Sequence, residues 1–140
     1  MRLLLITFAV FAFVLSFGQV STPKQGSKIR TAIMDAIRVP TERDLKQKVV
    51  FKVDLLRVEG VWAFTRTVPQ QPNGKPIDFS KTQYAEASAH GAFGNGVIAL
   101  LKKKGDKWTV VKYSLGATDV PYVSWWKDFG APKAIFDYTG

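Results

Sequence analysis

The sequence predicts an α+β fold, with one N-terminal helix packed on a curved four-stranded antiparallel meander and a short C-terminal aromatic helix after it. Three observations carry that prediction. An early segment repeats apolar residues at the helical period, the middle of the chain alternates them between tight-turn signals, and a late segment crowds aromatics behind a proline. With 140 residues and 46% apolar content, there is material for one core and too little for two.

The first eighteen residues stand apart from this domain. Met1 and Arg2 lead into the apolar run Leu3 to Leu15, and Ser16-Phe17-Gly18 puts small residues where a signal peptidase reads. Residues 1–18 are therefore expected to be a signal peptide cut before Gln19, giving a secreted or periplasmic protein. The run falls short of the roughly 20 residues of a membrane span, so no stable membrane anchor is expected after cleavage. The chain has no cysteine, which closes both a lipid-anchored exit and disulfide stapling, and suits a bacterial envelope or exterior.

Residues 19–26 read as a flexible polar leader, and 27–140 as a single α+β domain. In "SKIRTAIMDAIRVP" Ser27 is placed to cap a helix whose Ile29, Ile33 and Ile37 share a face with Ala32 and Ala36 beside them. Val39-Pro40 is expected to stop it, because proline has no N–H to continue the ladder.

"KVVFKVDLLRVEGVWAFTRTV" reads as two strands joined at Glu59-Gly60, with Val58 opposite Val61. That register puts Phe51, Val53 and Leu55 on one face with Trp62, Phe64 and Val68. The other face, with Lys52, Asp54, Thr65 and Thr67, is expected to be mostly wet. A loop from Pro69 to Lys81 follows, with a turn at Asn73-Gly74. A third strand is expected from Thr82 to His90, with Tyr84, Glu86, Ser88 and His90 on one side. Its alanines 85, 87 and 89 would lie on the other, close against the helix.

The glycines in "GAFGNG" then reverse the chain into Val97 to Lys103, and "KKGDKW" turns it again into Trp108 to Leu115. This pair is apolar on both faces. Ile98 and Leu100 are expected beside Val111, Tyr113 and Leu115, with Val97, Ala99, Leu101, Trp108 and Val110 opposite, so a further segment must cover it. The aromatic segment "TDVPYVSWWKDFG" is the one left to do so. Pro121 suits a first helical turn, Thr118 or Asp119 a cap and Gly130 an end, with Tyr122, Trp125, Trp126 and Phe129 as one stripe.

The order of helix and strands resembles the cystatin-like and NTF2-like superfamilies of α+β rolls. The strings "VFKVDLLRVEGVWAF" and "ALLKKKGDKWTVVKYSLGATDVPYVSWW" also look like a group of small exported bacterial proteins without an established activity. Cystatin likeness would imply protease inhibition, but "RVEGVW" and "KGDKW" do not match the inhibitory hairpins. NTF2 likeness implies a pocket between sheet and helices, with Asp119 and His90 as an acid–base pair. Glu86 shares the strand face of His90 but lies about 13 Å away, too far for a direct bond.

The chemistry available is thin. One histidine and no cysteine leave no ligand set for a metal, the glycine spacing is not a dinucleotide fingerprint, and no Gly-x-Ser-x-Gly occurs, so no cofactor is expected. The net charge of +9 favours anionic neighbours, of which an envelope component suits an exported protein better than nucleic acid. The expectation is a non-catalytic binding module for a small ligand, an anionic envelope component or a protein partner. Its candidate ligand-binding residues are Trp125, Trp126, Asp119, Tyr84, Glu86 and His90. The alternative is a small enzyme using Asp119 and His90.

Overall fold

A computed structural model describes residues 18–140. The expected signal peptide lies, but for Gly18, outside the described residues. The elements run α1 (Lys28–Leu45), β1 (Val50–Glu59), β2 (Trp62–Gln70), α2 (Ala85–Ala89), β3 (Val97–Lys104), β4 (Lys107–Leu115) and α3 (Trp125–Phe129). Single 3-10 turns lie at Phe79–Lys81 and Lys133–Ile135. The four strands form one antiparallel sheet in the order β1-β2-β3-β4, with α1 on one face and the chain after β4 on the other. Among the described residues no helix is long and apolar enough to cross a membrane.

Ser27 caps α1 as its sequence predicts, its hydroxyl accepting the Arg30 N–H at 3.3 Å. Ile33 and Ile37 are fully buried, but Ile29 is exposed and Met34 takes the third core position. Four residues overshoot one helical turn, so Ile29 lies about 80° around the helix from Ile37. The helix also runs through Pro40 instead of stopping there, and ends at Lys46 in the left-handed region. Thr41 and Leu45 continue the buried stripe from Ile37, and that burial outweighs the bond Pro40 cannot donate. The Thr41 hydroxyl donates to the Ile37 carbonyl at 2.8 Å.

Both hairpins form, and both carry bulges that the sequence does not announce. The first turns at Gly60-Val61, not Glu59-Gly60, so Glu59 pairs with Trp62 and Val58 with Ala63 rather than Val61. Asp54 is left unpaired between Val53 and Leu55, which switches the side on which the following residues point. Phe51, Val53, Leu56 and Val58 face α1, whereas Leu55 goes to the outer face with Trp62 and Phe64. Thr65 and Thr67, expected on a wet face, are buried, and their hydroxyls donate to the carbonyls of Leu55 and Val97.

In β4 the unpaired residue is Val111, because Leu101 opposes Val110 and Leu100 opposes Lys112. Val111 joins Ile98 and Leu100 as expected, but Tyr113 and Leu115 swap to the α1 side. Asn73-Gly74 makes its turn, with the Gly74 N–H donating to the Gln71 carbonyl at 2.8 Å.

The segment from Thr82 to His90 is not a strand. Five short runs of the sequence alternate, four of them enter the sheet, and this one forms α2 after a 3-10 turn. "AEASA" is rich in the best helix former, and alternation over so few residues cannot outvote that propensity. Its alanines therefore do not pack on Ala32 and Ala36. The loop is anchored instead by Phe93, stacked on Tyr84 at 4.4 Å and edge-on to Phe79 at 5.2 Å. Phe93 lies against Gly116, whose φ of +84° and lack of a Cβ allow that approach.

The outer face is covered by the aromatic segment. Tyr122, Trp125, Ala131, Ile135 and Phe136 pack on Phe64 and Leu100 as a second core. Arg57 donates to the Phe136 carbonyl at 3.1 Å and Arg66 pairs with Asp137 at 2.9 Å, clamping the tail to β1 and β2. The helix there is shorter than expected, with Ser124 rather than Thr118 or Asp119 as cap residue and Pro121 in the turn before it. Trp125 faces in and is 4% exposed, whereas Trp126 is half-buried and Phe129 is 37% exposed.

Candidate functional site

Where α1 crosses β4, small side chains leave a groove. On the helix Ala32, Ala36, Val39, Pro40 and Arg43 recur at helical spacing, a stripe about 16 Å long. Facing them, β4 presents Lys107, Trp108, Thr109, Val110 and Tyr113. Two depressions of about 550 and 330 Å³ adjoin along this line and share Ala36, Val39, Lys107 and Trp108. The alanines keep the helix side low, and the Trp108 ring, buried against Ile33 and Ile37, forms the opposing wall.

The floor is apolar, and along the larger depression the charged side chains are cations, Arg43 and Lys107. Val39 is 71% exposed, a β-branched apolar side chain that the fold does not cover. The Lys107 ammonium makes no hydrogen bond or ion pair among the described residues, and the Arg43 side chain is tied only to neighbouring Asp44, at 2.9 Å. A guanidinium is a permanent cation at any physiological pH, and the bond to Asp44 pushes that of Arg43 further above its usual range. Beyond Arg43 a further depression holds Glu42, Lys46 and Lys48. Two carboxylates, Asp35 and Asp106, sit at the opposite end of the groove. The Tyr113 hydroxyl donates to Thr41 at 3.4 Å, and burial pushes its pKa up to about 12, so a neutral phenol lines the site.

The cleft on the other side of α1, between Gln25 and Phe51, differs in its charges. Arg38 donates to the Val49 carbonyl at 3.3 Å, pairs with Asp35 and lies over the Phe51 ring. Arg30 donates to the Pro23 carbonyl at 3.4 Å. Those arginines tie the fold together, whereas Arg43 and Lys107 face solvent.

The residues singled out by sequence lie elsewhere. Trp125 is a core residue of the outer face, and Trp126 sits at its margin with the Lys133 ammonium 4.7 Å above its ring. Tyr84, Glu86 and His90 come together around α2. Tyr84 is stacked on Phe93, and exposed His90 bonds through Nδ1 to the Glu86 carbonyl at 2.8 Å. The strand separation assigned to Glu86 and His90 therefore gives way to one helical turn. Asp119 is exposed after β4, and no hydrogen bond among the described residues joins it to His90.

Sequence reading missed Val39, Arg43, Val110 and Tyr113 as groove residues. Lys107 and Trp108 carried a visible signal, as a basic residue beside an aromatic. Ala32, Ala36, Val39 and Arg43 form a stripe only once the helix is carried past Pro40. Among known proteins, the chain matches no family model, no curated protein and no solved structure.

Proposed function

We propose that this is an exported, non-catalytic binding module of the bacterial envelope or exterior, which holds an anionic, partly apolar partner in the groove between α1 and β4. The observation that carries the reading is the pairing of exposed Val39 and the apolar floor with two solvent-facing cations, Lys107 and the Asp44-paired Arg43. Apolar contact supplies affinity and the cations select against other partners. The helix-then-meander order supports a kinship with the cystatin-like and NTF2-like rolls, and the leading apolar run supports membership of the small exported proteins that the sequence resembles. Export with cleavage is supported by the exposure of Gly18, Gln19 and Val20, which leaves the chain accessible at the expected cut.

The test is thermal denaturation of the purified protein and of Val39→Asp. The panel comprises dodecanoate, phosphatidylglycerol vesicles, an acidic polysaccharide and an acidic peptide. A ligand that binds only the folded state raises the melting temperature, and the rise is expected in the parent and not in the variant. A panel that shifts both proteins equally, or neither, removes the groove as the binding site. N-terminal sequencing of protein recovered outside the cytoplasm is expected to begin at Gln19, and recovery of an intact Met1 would refute export with cleavage.

A further inference from the structure

The two edges of the sheet are treated differently by the fold. Along β1, Ser21 of the leader exchanges two backbone hydrogen bonds with Val58, each 2.8 Å, so extended chain is already added to that edge. Along β4 no backbone of the described residues pairs with the edge turned away from β3. An unpaired edge is a template for another strand, and proteins that leave one open defend it, most often with lysine and bulges. This edge has both: Lys107 and Lys112 with the unpaired Val111 between them.

A lysine defence is selective. A second copy of the chain would bring lysine against lysine, whereas a strand carrying Asp or Glu meets its complement in Lys107 and Arg43. We infer that the groove receives an extended acidic segment of a partner protein, added as a short strand along β4; this rests on the groove reading above. Side chains of an extended peptide alternate, so every second one would settle on Val39, Pro40, Trp108 and Val110 while its backbone bonds to the strand. The bulge at Val111 interrupts the ladder, so the added strand is confined to the stretch from Lys107 to Val110 and the groove supplies the remaining contact. A small free amphiphile fits less well, because the groove lies open along its length and cannot enclose the roughly 70–90% of surface that such ligands bury.

The probe is a blocked, fluorescein-labelled peptide alternating valine with glutamate, compared with the same peptide N-methylated at alternate residues. Fluorescence anisotropy with the full chain is expected to show binding that N-methylation weakens about tenfold or more, since methylation removes the donors of the ladder and leaves the side chains. Arg43→Glu and Lys107→Glu, both at exposed positions, are each expected to weaken it, and amide shifts are expected to concentrate in β4. If both peptides bind equally, strand addition is overturned while the groove reading stands. Strand addition is likewise overturned, and the groove reading kept, if dodecanoate or phosphatidylglycerol vesicles bind in a Val39-dependent way and the peptides do not. If nothing in either panel responds to Val39→Asp, both readings fail. A concentration-dependent dimer that shifts the β4 amides would assign the edge to a second copy and overturn the inference.

Discussion

The two faces of the sheet are covered by different means. The outer face is sealed by aromatics, with Tyr122, Trp125 and Phe136 filling the space over Phe64, and by two arginines that hold the tail from β1 and β2. The inner face is covered by a helix whose isoleucines pack on β1 to β4 but whose alanines stop short of filling the β4 side. Large flat side chains close a surface; a single helix, about 10 Å wide, covers a sheet of this width only in part. The open margin is where apolar surface and unpaired charge remain.

Substitutions test this contrast between the faces, and the largest effects are expected in the two cores. Phe64→Ala is expected to cost about 3–5 kcal/mol and Ile37→Ala about 2–5 kcal/mol in denaturant unfolding, because both side chains are fully buried. A loss under about 1 kcal/mol for either would mean that its face is not core. The clamp should matter less. Asp137→Ala leaves Arg66 half-exposed and without its partner, and about 1 kcal/mol is expected, read by the same method and reduced in high salt.

A titration reads both faces at once. Burial raises the Tyr113 phenol from 10.0 to about 12, and burial, then Asp137, raises Tyr122. A raised phenol stabilises the fold fully below the unfolded value and loses that contribution as pH climbs toward the folded one. Stability is therefore expected to fall between about pH 10 and pH 12. Tyr113→Phe should flatten part of that fall, and an unchanged slope would contradict the burial of the phenol. The smallest expected effect belongs to the groove. Val39→Asp should change stability by no more than about 0.5 kcal/mol while abolishing binding, and a large destabilisation would make Val39 a structural residue.

Several parts of the fold were legible in the sequence because their causes are local. Ser27, Asn73-Gly74 and Gly105 each act within a few residues, so the cap and those turns follow from residue type. Thr82 to His90 was misread because alternation in an alanine-rich run is a weak signal beside helix propensity. The faces of Leu55, Tyr113 and Leu115 were misread because one bulged residue reverses every side chain beyond it, and nothing near Asp54 or Val111 marks the insertion. The groove was half legible, in Lys107 and Trp108. Its other wall depended on whether α1 ended at Pro40.

The class of the fold, the two hairpins, the basic charge and the need for an aromatic cover follow from the chain alone, through periodicity, turn chemistry and the amount of apolar surface to be buried. That Trp125 rather than Trp126 faces in, that α1 runs past its proline, and that Val39 is left uncovered beside β4 are outcomes of packing in three dimensions. They depend on how far one packed surface extends over another, and that is a property of no single segment.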